Sequence, residues 1–162
     1  FPKTLNAIDI ANKVFEERGI SLPLESAGTV DGIDPSAREQ AGAAIQAPLY
    51  GNEVKEVFPS LPEPFDEFVP HLLTSSAFGD FATRGGLDVA QRELISLVAI
   101  AAIGATTQLR PHVAGAIRAG SSRQKVAAAL VHVMPYIGGP YALSGLVLVA
   151  RYDENASTEA YR

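Results

Sequence analysis

"DVAQRELISLVAIAAIGATTQLRPH", residues 88–112, is the stretch that decides the fold. Asp88 with Gln91 three positions on is a capping box: the acid takes the free amides of a new helix and the glutamine reaches back. Apolar residues then run to Ile103, and Gly104 closes the helix. Beyond Ser96 this helix is apolar on every side, so other helices should surround it. The short turn at Gly104 sends the chain back in a second helix, which predicts an antiparallel neighbour.

Downstream, "SSRQ" at 121–124 repeats the capping device, with Gly120 closing one helix and Ser121 and Gln124 opening the next. Pro135 ends or bends that helix, "YIGGP" is a tight turn, and a last helix starts near Pro140 and fades into "DENASTEAYR". Upstream, residues 4–18 put Leu5, Ile8 and Phe15 at helical spacing before Gly19. "SLPLESAGTVDG" reads as loop, Asp34 and Pro35 start another helix, and "FPSLPEPF" is a proline-rich connection. "FDEFVPHLLTSSAFGDFATR" is helical again, with a kink or break near Pro70. No run alternates in the manner of a strand, so the class is all-α. The 162 residues suit one domain.

Composition narrows the function. A net charge of -5 with 13 scattered basic residues argues against nucleic acid as a partner. Zero cysteines exclude disulfides and thiol chemistry. The longest apolar runs fall short of the roughly 20 residues a membrane span requires. The chain opens "FPKT" without Met, which fits a removed targeting segment or a trimmed start; a cytoplasmic location is the working expectation.

Chemistry concentrates on the central hairpin. Gln108 and His112 lie four apart, so their side chains share one helix face, and that face can look toward Glu93. Contact depends on the crossing angle. Otherwise Glu93 is a solvated acid favoured by the helix dipole, and His112 a structural or surface histidine. His132 lies opposite the apolar stripe of Val126, Leu130 and Met134, among small residues that would let a second face be buried. Arg84, Arg92 and Arg118 flank the region and can receive carboxylates, Arg84 ranking first because it sits in a glycine-containing turn. His71 attracts no functional reading, the three histidines have no zinc spacing, and no phosphate-cradling glycine motif is present.

"AFGDFATRGGLDVAQRELISLVAIAAIG" and "QLRPHVAGAIRAGSSRQKVAAALVHVMPYIGGPYALSGL", over about residues 77–146, resemble the carboxymuconolactone decarboxylase family. The resemblance implies a compact helical bundle of the alkylhydroperoxidase-like type at 71–152, preceded by a longer helical arm at 1–70. Thiol peroxidases of the wider group carry Glu, Cys-x-x-Cys and His, which fall here on Glu93, Ala105, Gln108 and His112; without the thiols, dithiol peroxide reduction is excluded. What remains implied is a cofactor-free, metal-free decarboxylase of aromatic compound catabolism, acting on a small carboxylated lactone such as 4-carboxymuconolactone. His112 and Glu93 would be catalytic, with Gln108, His132 and Arg84 contacting a small anionic metabolite. The family further implies a homo-oligomer, a trimer or hexamer. A non-catalytic ligand-binding protein on the same scaffold is the alternative.

Overall fold

The computed structural model describes residues 2–24, 34–51 and 58–153. Among them the chain forms seven α-helices and no strand: α1 (Pro2–Glu17), α2 (Pro35–Tyr50), α3 (Phe65–Leu72), α4 (Val89–Ala102), α5 (Thr106–Arg118), α6 (Arg123–Ile137) and α7 (Gly139–Arg151). Between α3 and α4, Leu73–Ala82 continue the helix in π-helical form. The expected break near Pro70 is therefore a rewinding three residues later, with Pro70 itself inside α3. Most of the predicted loop "SLPLESAGTVDG" and most of the polar tail lie outside the described residues.

The α4–α5 hairpin forms as its sequence dictates. Asp88 Oδ1 accepts from the Gln91 amide at 2.7 Å and Gln91 Oε1 accepts from the Asp88 amide at 3.0 Å. At the other end Gly104 takes φ 70°, a left-handed value that glycine adopts at little cost because it has no Cβ. The amide of Ala105 then bonds the Ile100 carbonyl, and that of Gly104 bonds Ala101. These two bonds are the Schellman closure, which satisfies the last carbonyls of α4.

The same closure at Gly120 corrects the expected start of α6. Ser121 donates its amide to the Ala116 carbonyl at 3.0 Å and so still belongs to the end of α5. Ser122 is the N-cap instead, its hydroxyl accepting from the Lys125 amide at 3.1 Å. The cap lies one residue later than the sequence spacing suggested.

The core sits between α4, α5, α6 and α7. Leu97, Leu109, Val113, Val126 and Leu130 are fully buried, and Ala142 and Val149 of α7 join them. Each buried Leu or Val contributes about 1.5–3 kcal/mol of transfer free energy. Gly145 lets α7 approach α6 closely: a Cβ there would lie 2.8 Å from Leu130 Cδ1. The expectation that α4 is surrounded on all sides does not hold. Ala99 and Ala102, both beyond Ser96, are exposed, because α5, α6 and α7 cover one side of the helix and leave the other open within the chain.

The arm splits into two unlike parts. In α1 no residue is buried, and Leu5 and Ile8 of its apolar stripe are exposed. In contrast, α2 crosses the π-helical segment at backbone contact, where a Cβ on Gly42 would lie 2.2 Å from the Thr74 carbonyl oxygen. On the facing side a Cβ on Gly79 would lie 2.6 Å from that of Arg38. Two glycines thus remove the side chains that would hold the helices apart, and the crossing carries the C-terminal end of α2 onto the α4–α5 hairpin.

Candidate active site

Glu93, in the second turn of α4, is only 6% exposed and is not a solvated acid. His112 reaches it from α5, with Nδ1 3.5 Å from Glu93 Oε2. The crossing of the two helices therefore cancels the offset between a residue eleven positions before the turn and one seven positions after it. Gln108, one turn before His112, lines the same cavity.

A third group completes the cluster. The phenolic hydroxyl of Tyr50, at the end of α2, donates to Glu93 Oε2 in a short hydrogen bond, and its oxygen lies 2.8 Å from His112 Nδ1. A hydroxyl carries one proton. If it goes to the carboxylate, Nδ1 must be the donor toward the phenolic oxygen. Nε2 is then the ring nitrogen left for a substrate, as a base when the ring is neutral and as an acid when it is charged. The order carboxylate, hydroxyl, imidazole is a continuous path for a proton from two buried groups to a half-buried one.

Local structure fixes the tyrosine. Arg118 of α5 donates from Nη1 to the Leu49 carbonyl at 2.7 Å, which ties the end of α2 to the hairpin. The ring meets Phe78 and His112 edge-on, at centroid distances of 5.8 and 5.3 Å. Gly115, three residues after His112, makes room for the hydroxyl: a Cβ there would lie 2.7 Å from Tyr50 Oη and 3.0 Å from Glu93 Oε2.

These groups stand in the wall of a cavity of about 530 Å³, whose remaining lining is largely apolar and includes Phe58, Phe78, Phe81, Leu87 and Ile95. A cavity of that size takes a small metabolite. Arg92 is the arginine in the lining, not Arg84. Its Nη2 donates to the Arg84 and Gly85 carbonyls at 2.7 and 3.0 Å and its Nε to Leu87 at 3.1 Å, so it also braces the glycine-containing turn. Arg84 is exposed and outside the lining; the turn meets Arg92 through the Arg84 carbonyl. His132 is also exposed on α6 and outside the lining, because the small residues around it are not covered within the chain.

The structure thus brings Glu93, His112 and Gln108 to one cavity and leaves Arg84 and His132 away from it. Tyr50 was not singled out from the sequence. The available signal was a tyrosine on the last turn of an alanine-rich helix, immediately before Gly51.

The carboxymuconolactone decarboxylase family model matches residues 69–151, from α3 through α7. A nitrosuccinic acid decarboxylase of Metarhizium robertsii is 28% identical over 110 residues, covering 68% of this chain and 77% of that protein. Glu93 and His112 fall inside the family-matched segment, whereas Tyr50 comes from the arm before it. With half of its length accounted for by that match, the chain belongs to the carboxymuconolactone decarboxylase family.

Proposed function

We propose that the protein is a cofactor-free carboxy-lyase acting on a small carboxylated molecule that carries its own electron sink, a carboxylated lactone such as 4-carboxymuconolactone being the reference case. The observation that carries this reading is the Tyr50–Glu93–His112 cluster, set in the wall of a mainly apolar cavity. Family membership supports it, as does the similarity to a decarboxylase of a nitro diacid.

In a carboxymuconolactone the bond to the departing carboxylate breaks, and its electron pair passes through the ring double bond onto the lactone carbonyl oxygen. In a nitro acid the pair passes onto the nitro group. Carbon dioxide leaves, and the resulting anion takes one proton at carbon. His112, charged and presenting Nε2–H, supplies that proton, and the Tyr50–Glu93 side of the cluster holds Nδ1 in its donating state. The apolar lining favours the step, since a localised carboxylate loses more from leaving water than the delocalised anion that follows it. Arg92 gives the cavity a cation for a carboxylate that is retained.

Carbon dioxide release from 4-carboxymuconolactone and from nitrosuccinate, with purified protein, tests the reading. Turnover of either supports it. Tight binding without release of gas would favour the ligand-binding alternative. A homo-oligomer is part of the same proposal, supported by Leu143 and Val147, one turn apart on α7 and 54% and 45% exposed; sedimentation as a monomer would refute it.

A further inference from the structure

Gln46 is 93% buried, at 7% relative exposure, yet it lines the cavity. It precedes Tyr50 by one helical turn, so the two side chains share a face of α2. Its amide oxygen accepts from the Thr74 hydroxyl at 2.7 Å. Its amide nitrogen, with two N–H donors, has no hydrogen-bond partner among the described residues. Buried donors are nearly always paired, and leaving one unpaired is costly, so each such group calls for a partner.

The fold goes to some length to hold this amide in one orientation. Thr74 belongs to the π-helical segment, which crosses α2 where Gly42 and Gly79 allow backbone contact. Gly42 is one turn before Gln46, so the same crossing delivers the Thr74 hydroxyl to the amide oxygen. With the oxygen taken, the NH₂ end is the one left unpaired, and because its nitrogen is itself closed to solvent, a ligand oxygen reaches it only as the cavity lining gives way around it.

We infer that the Gln46 amide is a substrate-binding donor, held in place by Thr74, and that it receives an oxygen of an anionic ligand. That oxygen is the nitro or carbonyl oxygen onto which charge moves, or one of a retained carboxylate. Thr74 is a positioning residue, since it acts through Gln46. The inference rests on the decarboxylase reading only for the identity of the ligand. Gln46 and the acid–base pair lie on different segments, so recognition and proton transfer are separable.

The test uses side-chain amide NMR of the full chain, with the Gln46 resonance pair identified by its loss in Gln46→Leu. Two unreactive probes, succinate and 3-nitropropanoate, are titrated in. At least one is expected to move the Gln46 pair downfield as it saturates, and Gln46→Leu to bind that probe about 10-fold more weakly, the worth of one hydrogen bond to a charged group. Thr74→Val should weaken binding, and Thr74→Ser should restore it. A Gln46 pair that stays put at every concentration of both probes overturns the inference, as does Gln46→Leu binding as tightly as wild type. Carbon dioxide release is read separately: binding through Gln46 with no turnover sinks the decarboxylase reading and leaves the amide assignment standing.

Discussion

Replacing Gly115 by alanine should disable the site while leaving the fold in place. The added Cβ would lie 2.7 Å from Tyr50 Oη and 2.9 Å from its Cζ, where ordinary contact begins near 3.4 Å. The hydroxyl must retreat by about 0.7 Å to restore a normal separation. Because Gly115 and His112 share α5, a hydroxyl pushed off that helix is also pulled from Nδ1. The 2.8 Å contact then stretches to a distance at which hydrogen bonding is largely lost. Losing this bond and weakening the one to Glu93, at about 1.5–3 kcal/mol for each bond to a charged group, comes to about 3 kcal/mol. The corresponding drop in kcat is about 100-fold.

The steric part of the stability change, apart from those two bonds, should be smaller. Overpacking costs about 1–3 kcal/mol, and alanine in place of glycine in a helix interior returns about 0.5–1 kcal/mol. That part lowers Tm by at most about 10 °C for a domain of this size. The assay is kcat for carbon dioxide release alongside a calorimetric Tm, for Gly115→Ala, Tyr50→Phe and the double variant. If the methyl acts through the hydroxyl, the double variant should be no slower than the worse single one. An unchanged kcat in Gly115→Ala, or fully additive losses in the double variant, would refute the reasoning.

Other substitutions probe separate parts of the argument. His112→Ala should lower kcat by about 10²- to 10⁴-fold while circular dichroism stays helical; a rate near wild type would remove the histidine from the chemistry. Arg92→Met should raise KM about 10-fold or more with a smaller effect on kcat, checked by initial rates on a substrate with two carboxylates. Gly79→Ala, whose Cβ would lie 2.6 Å from the Arg38 carbonyl oxygen, should cost about 1–3 kcal/mol by urea denaturation, because neither backbone at that crossing can yield cheaply. Ser122→Ala should cost about 1 kcal/mol, as loss of an N-cap, whereas Ser121→Ala, which removes a buried hydroxyl without a partner among the described residues, should be close to neutral in the same assay.

Much of the fold was legible because its signals are local. Asp88 with Gln91 marks a helix start within four residues, and Gly104 marks its end. The error at Ser121 is also local: two serines in a row can each serve as a cap, and only the Schellman bond to Ala116 shows which one is already engaged. The pairing of Glu93 with His112 could be posed from the sequence but needed the interhelical crossing to be decided. Tyr50 was invisible for a different reason. It reaches Glu93 across 43 positions and His112 across 62, through a helix whose docking depends on two glycines that a pattern search reads only as weak helix formers. His132 and Arg84 were named because of their neighbours in the chain, and neighbours in the chain do not determine which side of a helix or turn faces a cavity.

That α2 supplies the hydroxyl has a practical corollary for anyone retuning this catalyst. Apart from Gly42, which docks the helix, and Leu49 and Tyr50, which are buried at its end, the side chains of α2 can be varied without altering a single atom of the carboxylate or the imidazole. A library confined to that helix, with Gly42, Leu49 and Tyr50 held fixed, would explore new molecules while leaving the proposed proton transfer in the hands of the hairpin.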